Sequence, residues 1–240
     1  MCGRYNLTIE PAALASLFRL ASVAPYLARY NIAPTQDALI IRQDATTNER
    51  HGVLLTWGLI PAWSKDGGSA ARTINARSET AADKPTFRDP FLQRRCLVPA
   101  TGFYEWEKRG SAKQPHHLRP PGDDVRSDAP PVWAFAGLWD RWVDQATGVA
   151  RETFTILTRD AQPDIAWVHD RMPVILPPST HAVWLDPRQT SRATLETLLR
   201  TLPGTSIATD PVSSIVNSPA HDDARCVERV DPGPRSLFEM

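Results

Sequence analysis

The hydrophobic and polar positions of the chain follow mostly the two-residue period of β-strands. Short runs in which apolar and polar residues alternate, or in which apolar residues follow one another, predict strands when turn-forming residues bound them. The predicted strands lie at residues 38–43, 52–60, 95–100, 102–108, 131–142, 151–158 and 171–176. Helical spacing of apolar residues is confined to a few short segments, so we expect a sheet to form the core.

Four short segments predict helices. Residues 11–20 place apolar side chains at helical spacing behind a proline, which suits the first turn of a helix. The other predicted helices lie at residues 78–83, 163–168 and 191–200. Many short strands with little helix between them are typical of an α+β fold with a partly closed, mainly antiparallel sheet.

The remaining segments are predicted to lie outside the sheet. Residues 30–36 are predicted to form a loop around Pro34, and residues 110–131 are rich in Pro, Gly, Ser and Asp, which favours an exposed insertion between two strands. We expect one domain over residues 1–225. Residues 226–240 are predicted to form a C-terminal tail that is partly disordered.

The bulk composition is that of a globular protein. Hydrophobic residues make up 42% and charged residues 22% of the 240 residues, and the net charge is zero. There is no run of about 18 apolar residues and no signal-peptide pattern, which predicts a cytoplasmic protein. Three cysteines without a Cys-x-x-Cys pair predict neither a zinc ribbon nor a disulfide framework.

Charge is distributed unevenly along the chain. The first 110 residues carry 14 basic and 10 acidic side chains, so the N-terminal half is the basic one. This asymmetry is compatible with nucleic-acid binding, but it is too small to establish it.

The chain begins MCGRY, with a cysteine directly after the initiator methionine. Removal of Met1 would leave a free α-amine and a thiol on Cys2, with ordinary pKa values of about 7.7–8.0 and about 8.5. Such a residue can condense with an aldehyde to an imine and then close a thiazolidine ring, or its thiol can attack an amide. The alternative is a frayed terminal residue without chemistry.

Three further polar residues lie within apolar or aromatic strings. Glu105 alternates with Tyr104 and Trp106 on a predicted strand, so it faces either solvent or a pocket, where burial would make it a general acid. His169 is a candidate for proton transfer or a structural histidine. Asn75 is a candidate to hold an amine or an oxyanion, or else a turn or cap residue.

Other residues are candidates for contact with nucleic acid. Arg4 and Arg77 flank Cys2 and Asn75, where phosphate contacts would be expected, although surface salt bridges explain them equally well. The segment WGLIPAW brings Trp57, Pro61 and Trp63 into one loop that could stack on bases or belong to the core. The adjacent His116 and His117 are a poor metal signature.

Several motifs occur together in a fixed order between residue 1 and about residue 176. They read MCGRY, YNIAPTQ, WGLIPAW, NARSET, KPTFRDPF, RRCLVPATGFYEW, FAGLWD, FTILT and HDRMPVIL. In this order the chain closely resembles the SRAP family, the SOS-response-associated peptidase-like proteins. The resemblance implies a single α+β domain on a barrel-like sheet, without cofactor or metal.

The resemblance also implies a function and a role for each candidate residue. The family's chemistry implies that Cys2, once Met1 is removed by the protein itself, forms a thiazolidine crosslink to an abasic site in single-stranded DNA. Asn75 would orient the α-amine, Glu105 would act as acid and base in sugar ring opening, and His169 would assist proton transfer. The DNA contacts implied are those of Arg4, Arg77, Pro61 and Trp63.

Two other functions stay open at this point. An N-terminal-nucleophile glutamine amidohydrolase would also begin Met-Cys-Gly and use the Cys2 thiol on an amide, but the other motifs of that class and a second domain for ammonia are missing from the sequence. A non-covalent single-strand binder would need only the basic half and the aromatic loop. A general protease is ranked last. We expect a monomer whose partner is single-stranded DNA.

Overall fold

The computed structural model of the protein describes residues 2–68, 70–122 and 130–231. Within these ranges the chain forms thirteen strands and four α-helices. The strands are β1 (Tyr5–Leu7), β2 (Leu20–Val23), β3 (Arg29–Ile32), β4 (Asp37–Gln43), β5 (Arg50–Trp57), β6 (Asn75–Arg77), β7 (Arg95–Ala100), β8 (Gly102–Arg109), β9 (Ala112–Arg119), β10 (Trp133–Val143), β11 (Ala150–Asp160), β12 (Arg171–Pro173) and β13 (Ala208–Pro211). The helices are α1 (Pro11–Phe18), α2 (Arg88–Gln93), α3 (His181–Leu185) and α4 (Arg192–Arg200).

Five strands close into a barrel. Strands β11, β10, β7, β4 and β5 follow one another as antiparallel neighbours. The barrel closes where β5 pairs in parallel with β11, through Thr56 opposite Thr153 and Trp57 opposite Phe154. Strands β2, β6 and β12 extend this sheet. The predicted α+β fold with a barrel-like, mainly antiparallel core is confirmed.

A second sheet carries the N-terminus. Its strand order is β13-β9-β8-β1-β3, so β1 lies between β8 and β3. Tyr5 of β1 is fully buried and packs edge-on against Trp57 of the barrel, with ring centroids 5.2 Å apart. Phe135 contacts Tyr5 in the same way at 6.3 Å. The N-terminal strand is therefore fixed between the second sheet and the barrel core.

Most predicted elements are confirmed, and the differences have local causes. Helix α1 ends at Phe18, two residues early, because Arg19 takes a left-handed conformation with φ of 55° before β2 begins. Residues 78–83 and 163–168 form hydrogen-bonded turns and not helices. Helix α4 is confirmed, with the Ser191 side chain capping its first turn.

Two segments that were expected to be irregular contain strands. Residues 29–32 form β3 inside the predicted loop region, and residues 112–119 form β9 inside the predicted insertion. Residues 123–129 of that insertion lie outside the described residues. In the predicted tail, Cys226 and Val227 are buried, and residues 232–240 lie outside the described residues, so disorder there stays a prediction.

The guanidinium group of Arg95 joins α2 and α3 to the barrel. Arg95 is buried on β7, and burial lowers its pKa to about 10. Its donors point at five backbone carbonyl oxygens, at distances between 2.6 and 3.0 Å, on Phe91, Leu92, Trp184, Asp186 and Gln189. All of these carbonyls except that of Gln189 lie at the C-terminal ends of α2 and α3, where a helix leaves its last acceptors unsatisfied.

Replacing Arg95 with alanine is expected to lower the free energy of unfolding by about 3 kcal/mol, because buried carbonyls lose their donors. Arg95→Lys should recover only part of this loss, since an ammonium offers three donors without the planar fork. Urea unfolding measures both values. The control is Arg141→Ala, which removes an exposed guanidinium and should change stability by about 0.5 kcal/mol or less. Equal effects of Arg95→Ala and Arg141→Ala would contradict this account.

Candidate active site

The pairing of β1 with β8 places Cys2 beside Glu105. Tyr5 lies opposite Phe103, and the amide of Tyr104 donates to the carbonyl of Arg4 at 2.9 Å, so the antiparallel register continues toward the N-terminus. Because the two strands run in opposite directions, this register places Cys2 next to the part of β8 that contains Glu105.

The thiol of Cys2 is enclosed in the described structure. Cys2 is 0% exposed, and its Sγ lies 3.8 Å from the carbonyl oxygen of Arg4. Burial raises the pKa of the thiol, and the negative charge of Glu105 raises it further. The sulfur is therefore a neutral thiol near pH 7, and a partner base is needed to activate it.

Asn75 contacts Cys2 directly. Strand β6 runs parallel to β11 with Asn75 opposite Ile156, which aims the amide side chain at the N-terminal strand. Its Nδ2 donates to the backbone carbonyl of Cys2 at 2.7 Å. Its Oδ1 is buried and has no hydrogen-bond partner among the described residues. An acceptor in this position can receive a hydrogen bond from an amine on Cys2.

Glu105 is a buried carboxyl group on β8. It is 4% exposed, and burial raises its pKa from 4.5 to about 7, with a smaller contribution from the charge of Asp170. The ammonium group of Lys113 acts in the opposite direction. Near pH 7 the group is therefore present in both protonation states, as general acid–base catalysis requires.

His169 follows the turns at 163–168 and precedes β12. Its Nδ1 accepts a hydrogen bond from the amide of Arg171 at 3.0 Å and lies 2.8 Å from a carboxylate oxygen of Asp170. One nitrogen cannot accept the amide proton and donate to the carboxylate at once. Burial lowers the pKa of His169, so we assign the neutral ring that accepts from Arg171 and carries its proton on Nε2.

The structure brings the four predicted catalytic residues into one neighbourhood. Cys2 contacts Asn75, and the charge of Glu105 acts on Cys2. The pKa values of Glu105 and His169 are both shifted by the charge of Asp170, which lies on a loop. The charge of Lys113, which lies on β9, shifts both as well. The arrangement combines a thiol, an amide that contacts the same residue, a carboxyl group with a pKa of about 7 and an imidazole, which are the components of a candidate catalytic site.

Arg4 is held within the protein. Its guanidinium donates to the side chain of Asn31 at 2.8 Å and to the carbonyl oxygens of Val216 at 2.7 Å and Asn217 at 3.0 Å. These bonds fix the residues that follow Cys2 against the C-terminal part of the chain. The predicted contact of Arg4 with a phosphate stays a prediction.

The other predicted DNA contacts differ in their exposure. Arg77 is exposed at the end of β6, two residues after Asn75, and Trp63 is 63% exposed. Pro61 is buried beside it. Trp57 is 0% exposed and donates to the carbonyl of Ile74, so of the two alternatives open for it the structure shows a core residue.

Three further residues surround the site and were not predicted from the sequence, namely Asp170, Arg171 and Lys113. Arg171 is buried and donates to Glu79, to Asp160 and to the carbonyl of Thr158, which fixes the segment after His169. Arg171 and Asp170 follow His169 directly in the motif HDRMPVIL, and this adjacency was the available signal.

His116 and His117 do not form a metal site. His116 bonds Glu107 at 2.9 Å and His117 bonds the Asn6 side chain at 3.1 Å. Burial lowers the pKa of His117 to about 3, so this ring is neutral. Across the described ranges, no group of three or more His, Cys, Asp or Glu side chains could hold a metal ion.

Three cavities of the described structure lie apart from the candidate site. They have volumes of about 610, 490 and 310 Å³, and Cys2, Asn75 and Glu105 are not among the residues that line them. In the part of the chain that the structure covers, no helix combines the length and the apolar content needed to cross a membrane.

The protein is an α+β protein with a closed barrel, and beside the barrel it carries a cluster of Cys2, Asn75 and Glu105. Residues 1–219 match the model of the family described as SOS response associated peptidase (SRAP). The chain belongs to the SRAP family.

Known proteins resemble the chain over most of its length. YoaM of Bacillus subtilis, named an abasic site processing protein, is 38% identical over 232 residues, which cover 95% of this chain and 98% of YoaM. HMCES of Gallus gallus, with the same descriptive name, is 33% identical over 87% of this chain and 68% of its own. A crystal structure of a protein from Bacteroides thetaiotaomicron superposes with a TM-score of 0.81 at 27% identity, covering 95% of this chain and all of that one.

Proposed function

We propose that this protein recognises abasic sites in single-stranded DNA and attaches itself to them covalently through Cys2. The proposal is supported by the names of its relatives, which are abasic site processing proteins. The observation that carries it is the contact of Asn75 with Cys2 beside Glu105, a carboxyl group whose pKa is about 7. The attached protein would shield the lesion during the response to DNA damage.

Removal of Met1 is the first step of the proposal. Hydrolysis of the peptide bond between Met1 and Cys2 consumes one water, releases methionine and leaves the α-amine of Cys2. We infer that the protein performs this cleavage itself, because the Cys2 thiol and Glu105 lie next to the bond and can supply a nucleophile and a proton. This self-processing gives the protein a peptidase activity that does not extend to other proteins.

Crosslinking then joins the amine and the thiol to one carbon atom. The ring-opened sugar of an abasic site presents an aldehyde, which the α-amine attacks to form a carbinolamine and, after loss of water, an imine. The thiol adds to the imine carbon, its proton passes to the nitrogen, and a five-membered thiazolidine ring results. The adduct therefore equals the processed protein plus the oligonucleotide less one water.

Each neighbouring side chain has a role in this sequence. Asn75 holds the carbonyl of Cys2 through Nδ2 and accepts from the amine through Oδ1. Glu105 donates a proton during ring opening and loss of water and accepts one from the thiol. Neutral His169 carries protons at the imine and in the reverse reaction.

The imine also permits strand cleavage. Removal of a proton from the sugar carbon next to the imine leads to β-elimination of the phosphate on the 3′ side, which is an abasic-site lyase reaction. Ring closure by the thiol competes with this elimination because it consumes the imine. We infer that the lyase reaction is the minor path as long as the Cys2 thiol is present.

The DNA contacts proposed for this site lie around Cys2. Arg77 is exposed near Asn75 and is assigned to a phosphate beside the lesion, with Arg4 close to Cys2 as a second phosphate contact. Trp63, together with Pro61 two residues earlier, is assigned to a base of the same strand. Contacts of this kind recognise the strand without reading its sequence.

Three oligonucleotides that differ only at one position test this function. One single strand carries an abasic aldehyde, one carries a tetrahydrofuran analogue that lacks the aldehyde, and one is intact. After incubation with the protein, a denaturing gel should show a covalent product with the first strand alone. Equal non-covalent binding of all three strands without a covalent product would contradict the proposal and favour a simple single-strand binder.

Asn75→Ala is expected to slow crosslinking about 100-fold, since loss of one orienting or charge-stabilising donor commonly has an effect of this size. The affinity for the tetrahydrofuran strand should stay within about twofold. Single-turnover rates on gels measure the first quantity and fluorescence anisotropy the second. The control is Gln43→Ala, which removes an exposed amide that bonds the side chain of Asn48 in the turn between β4 and β5. A rate for Asn75→Ala within threefold of the unchanged protein would contradict the role of Asn75.

A further inference from the structure

Trp167 is an exposed tryptophan two residues before His169. Its side chain is 47% exposed, whereas most of the other indoles in the described structure are buried or partly buried. The catalytic assignments above make no use of it. A large aromatic ring left in solvent next to a reactive site is a candidate binding element.

The indole of Trp167 is held at two points. Its Nε1 donates to the carbonyl of Asp164 at 2.9 Å, and its ring lies 5.1 Å from the ring of His116 at an interplanar angle of 87°. His116 is itself buried and bonded to Glu107 at 2.9 Å, and Arg109 bonds the same carboxylate oxygen. These contacts fix the orientation of the indole, while 47% of the residue is exposed to solvent.

The register of the second sheet places Trp167 near the reactive carboxyl group. His116 on β9 lies directly opposite Glu105 on β8, and residues directly opposite each other share one face of the sheet with Cβ atoms about 4.5–5.5 Å apart. Trp167 contacts His116 and therefore covers the part of this face that adjoins Glu105. His169 follows in the same turn.

A positive charge lies in the same neighbourhood. Lys113 is exposed on β9, three residues before His116 and opposite Lys108 of β8, and its ammonium group lowers the pKa values of both Glu105 and His169. An indole and an ammonium beside one site match the two parts of a nucleotide, a base that stacks and a phosphate that carries charge.

We propose that Trp167 stacks on the nucleobase adjacent to the abasic site and that Lys113 contacts a phosphate of that nucleotide. The inference rests on the proposed function and adds a binding site to it. At an abasic site the neighbouring base has lost one stacking partner, so an exposed apolar face is available there. Trp167 would cover this face, and the buried pair of His116 and Glu107 positions the indole for it.

The test uses single strands with the tetrahydrofuran analogue, which bind without reacting. A 2-aminopurine base is placed on the 5′ side in one strand and on the 3′ side in another, and its fluorescence reports stacking on an indole. The protein should quench one of the two positions. Trp167→Ala should abolish this quenching and weaken binding about fivefold or more, whereas Trp167→Phe should keep the affinity within about twofold.

Matched controls separate this site from the rest of the molecule. Leu27→Ala removes an 83% exposed apolar side chain elsewhere and should change nothing. His116→Ala removes the ring that contacts the indole and should bind more weakly than the unchanged protein. Lys113→Gln should reduce the slope of the logarithm of the binding constant against the logarithm of the salt concentration by about 1, as expected for the loss of one phosphate contact.

The two proposals fail in different ways. The stacking inference would be overturned if quenching persists in Trp167→Ala or if that substitution leaves the affinity unchanged. If quenching is lost in Trp63→Ala instead, the base stacks on Trp63. The proposed function fails separately, if the unchanged protein forms no covalent product with the strand that carries the aldehyde.

Discussion

Replacing Cys2 with alanine is expected to abolish the stable crosslink to an abasic strand, a loss of more than about 100-fold in product. Without the thiol no thiazolidine ring can close. When Met1 is removed, the variant keeps an α-amine at residue 2 and can still form the imine. Borohydride, which reduces imines to stable amines, should therefore trap an adduct of Cys2→Ala that water otherwise reverses.

The lyase reaction gives a second readout of the same change. Because the imine of Cys2→Ala is not consumed by ring closure, β-elimination should rise relative to the unchanged protein. Labelled strands on a denaturing gel show both the adduct and the cleaved strand. Cys96→Ala is the matched control, since it removes a buried barrel thiol and should crosslink at the normal rate. A stable adduct formed by Cys2→Ala without borohydride would contradict the thiazolidine chemistry.

Replacing Glu105 with glutamine is expected to slow crosslinking by about 100-fold at pH 7, because the amide can neither donate nor accept the proton that general acid–base catalysis needs. The pH dependence should change as well. In the unchanged protein the rate should bend near pH 7, where the pKa of Glu105 lies, and in Glu105→Gln this bend should disappear. Single-turnover rates between pH 5 and pH 9 measure both effects.

The same substitution should stabilise the fold at high pH. The pKa of Glu105 is higher in the folded chain, about 7, than the ordinary 4.5, so the folded state binds the proton more tightly. The resulting stability is present below about pH 4.5 and is lost as the pH rises through 7. At 1.36 kcal/mol per unit, the loss is about 3 kcal/mol above pH 8. Glutamine stays neutral and does not show this loss.

Urea unfolding at pH 5 and at pH 8 measures this contribution. Glu105→Gln should be about as stable as the unchanged protein at the lower pH and more stable at the higher one. Glu107→Gln is a useful comparison, because the carboxylate of Glu107 bonds both Arg109 and His116 and a neutral side chain would lose the ion pair with Arg109. A Glu105→Gln variant that is less stable than the unchanged protein at pH 8 would contradict a pKa of Glu105 that is raised in the folded chain.

Much of the fold could be predicted because strands with one buried face repeat every two residues. Strands β4, β7, β8, β10 and β11 were predicted within two residues of their ends. Strand β9 was not, because Pro115 and the adjacent histidines look like loop residues, although its backbone pairs with β8 along its whole length. Whether such a segment forms a strand depends on the strands with which it pairs, and the local sequence pattern does not show these partners.

Two predicted helices are turns in the structure, and each difference has a local reason. At residues 78–83 the chain approaches Pro85, and a residue that precedes proline is disfavoured in a helix. The segment 163–168 is six residues long, which is short for a helix whose first turn is costly to form. Ile165 and Ala166 both bond back to the carbonyl of Gln162, which is a turn and not a continuing helix.

The candidate site could be named from its motifs, but its geometry could not. Order in the sequence suggested Cys2, Asn75, Glu105 and His169, while the bond from Asn75 to the carbonyl of Cys2 arises from the pairing of β6 with β11. Trp57 and Trp63 are six residues apart in one motif, yet one is buried in the barrel and the other is in solvent.

The most direct test of the central claim is the intact mass of the protein before and after incubation with a single strand that carries one abasic site. We expect a starting mass that lacks methionine, followed by conversion to the mass of protein plus oligonucleotide less one water. A protein that has lost Met1, binds the strand and yet gains no mass would contradict the claim that Cys2 forms a thiazolidine with the lesion.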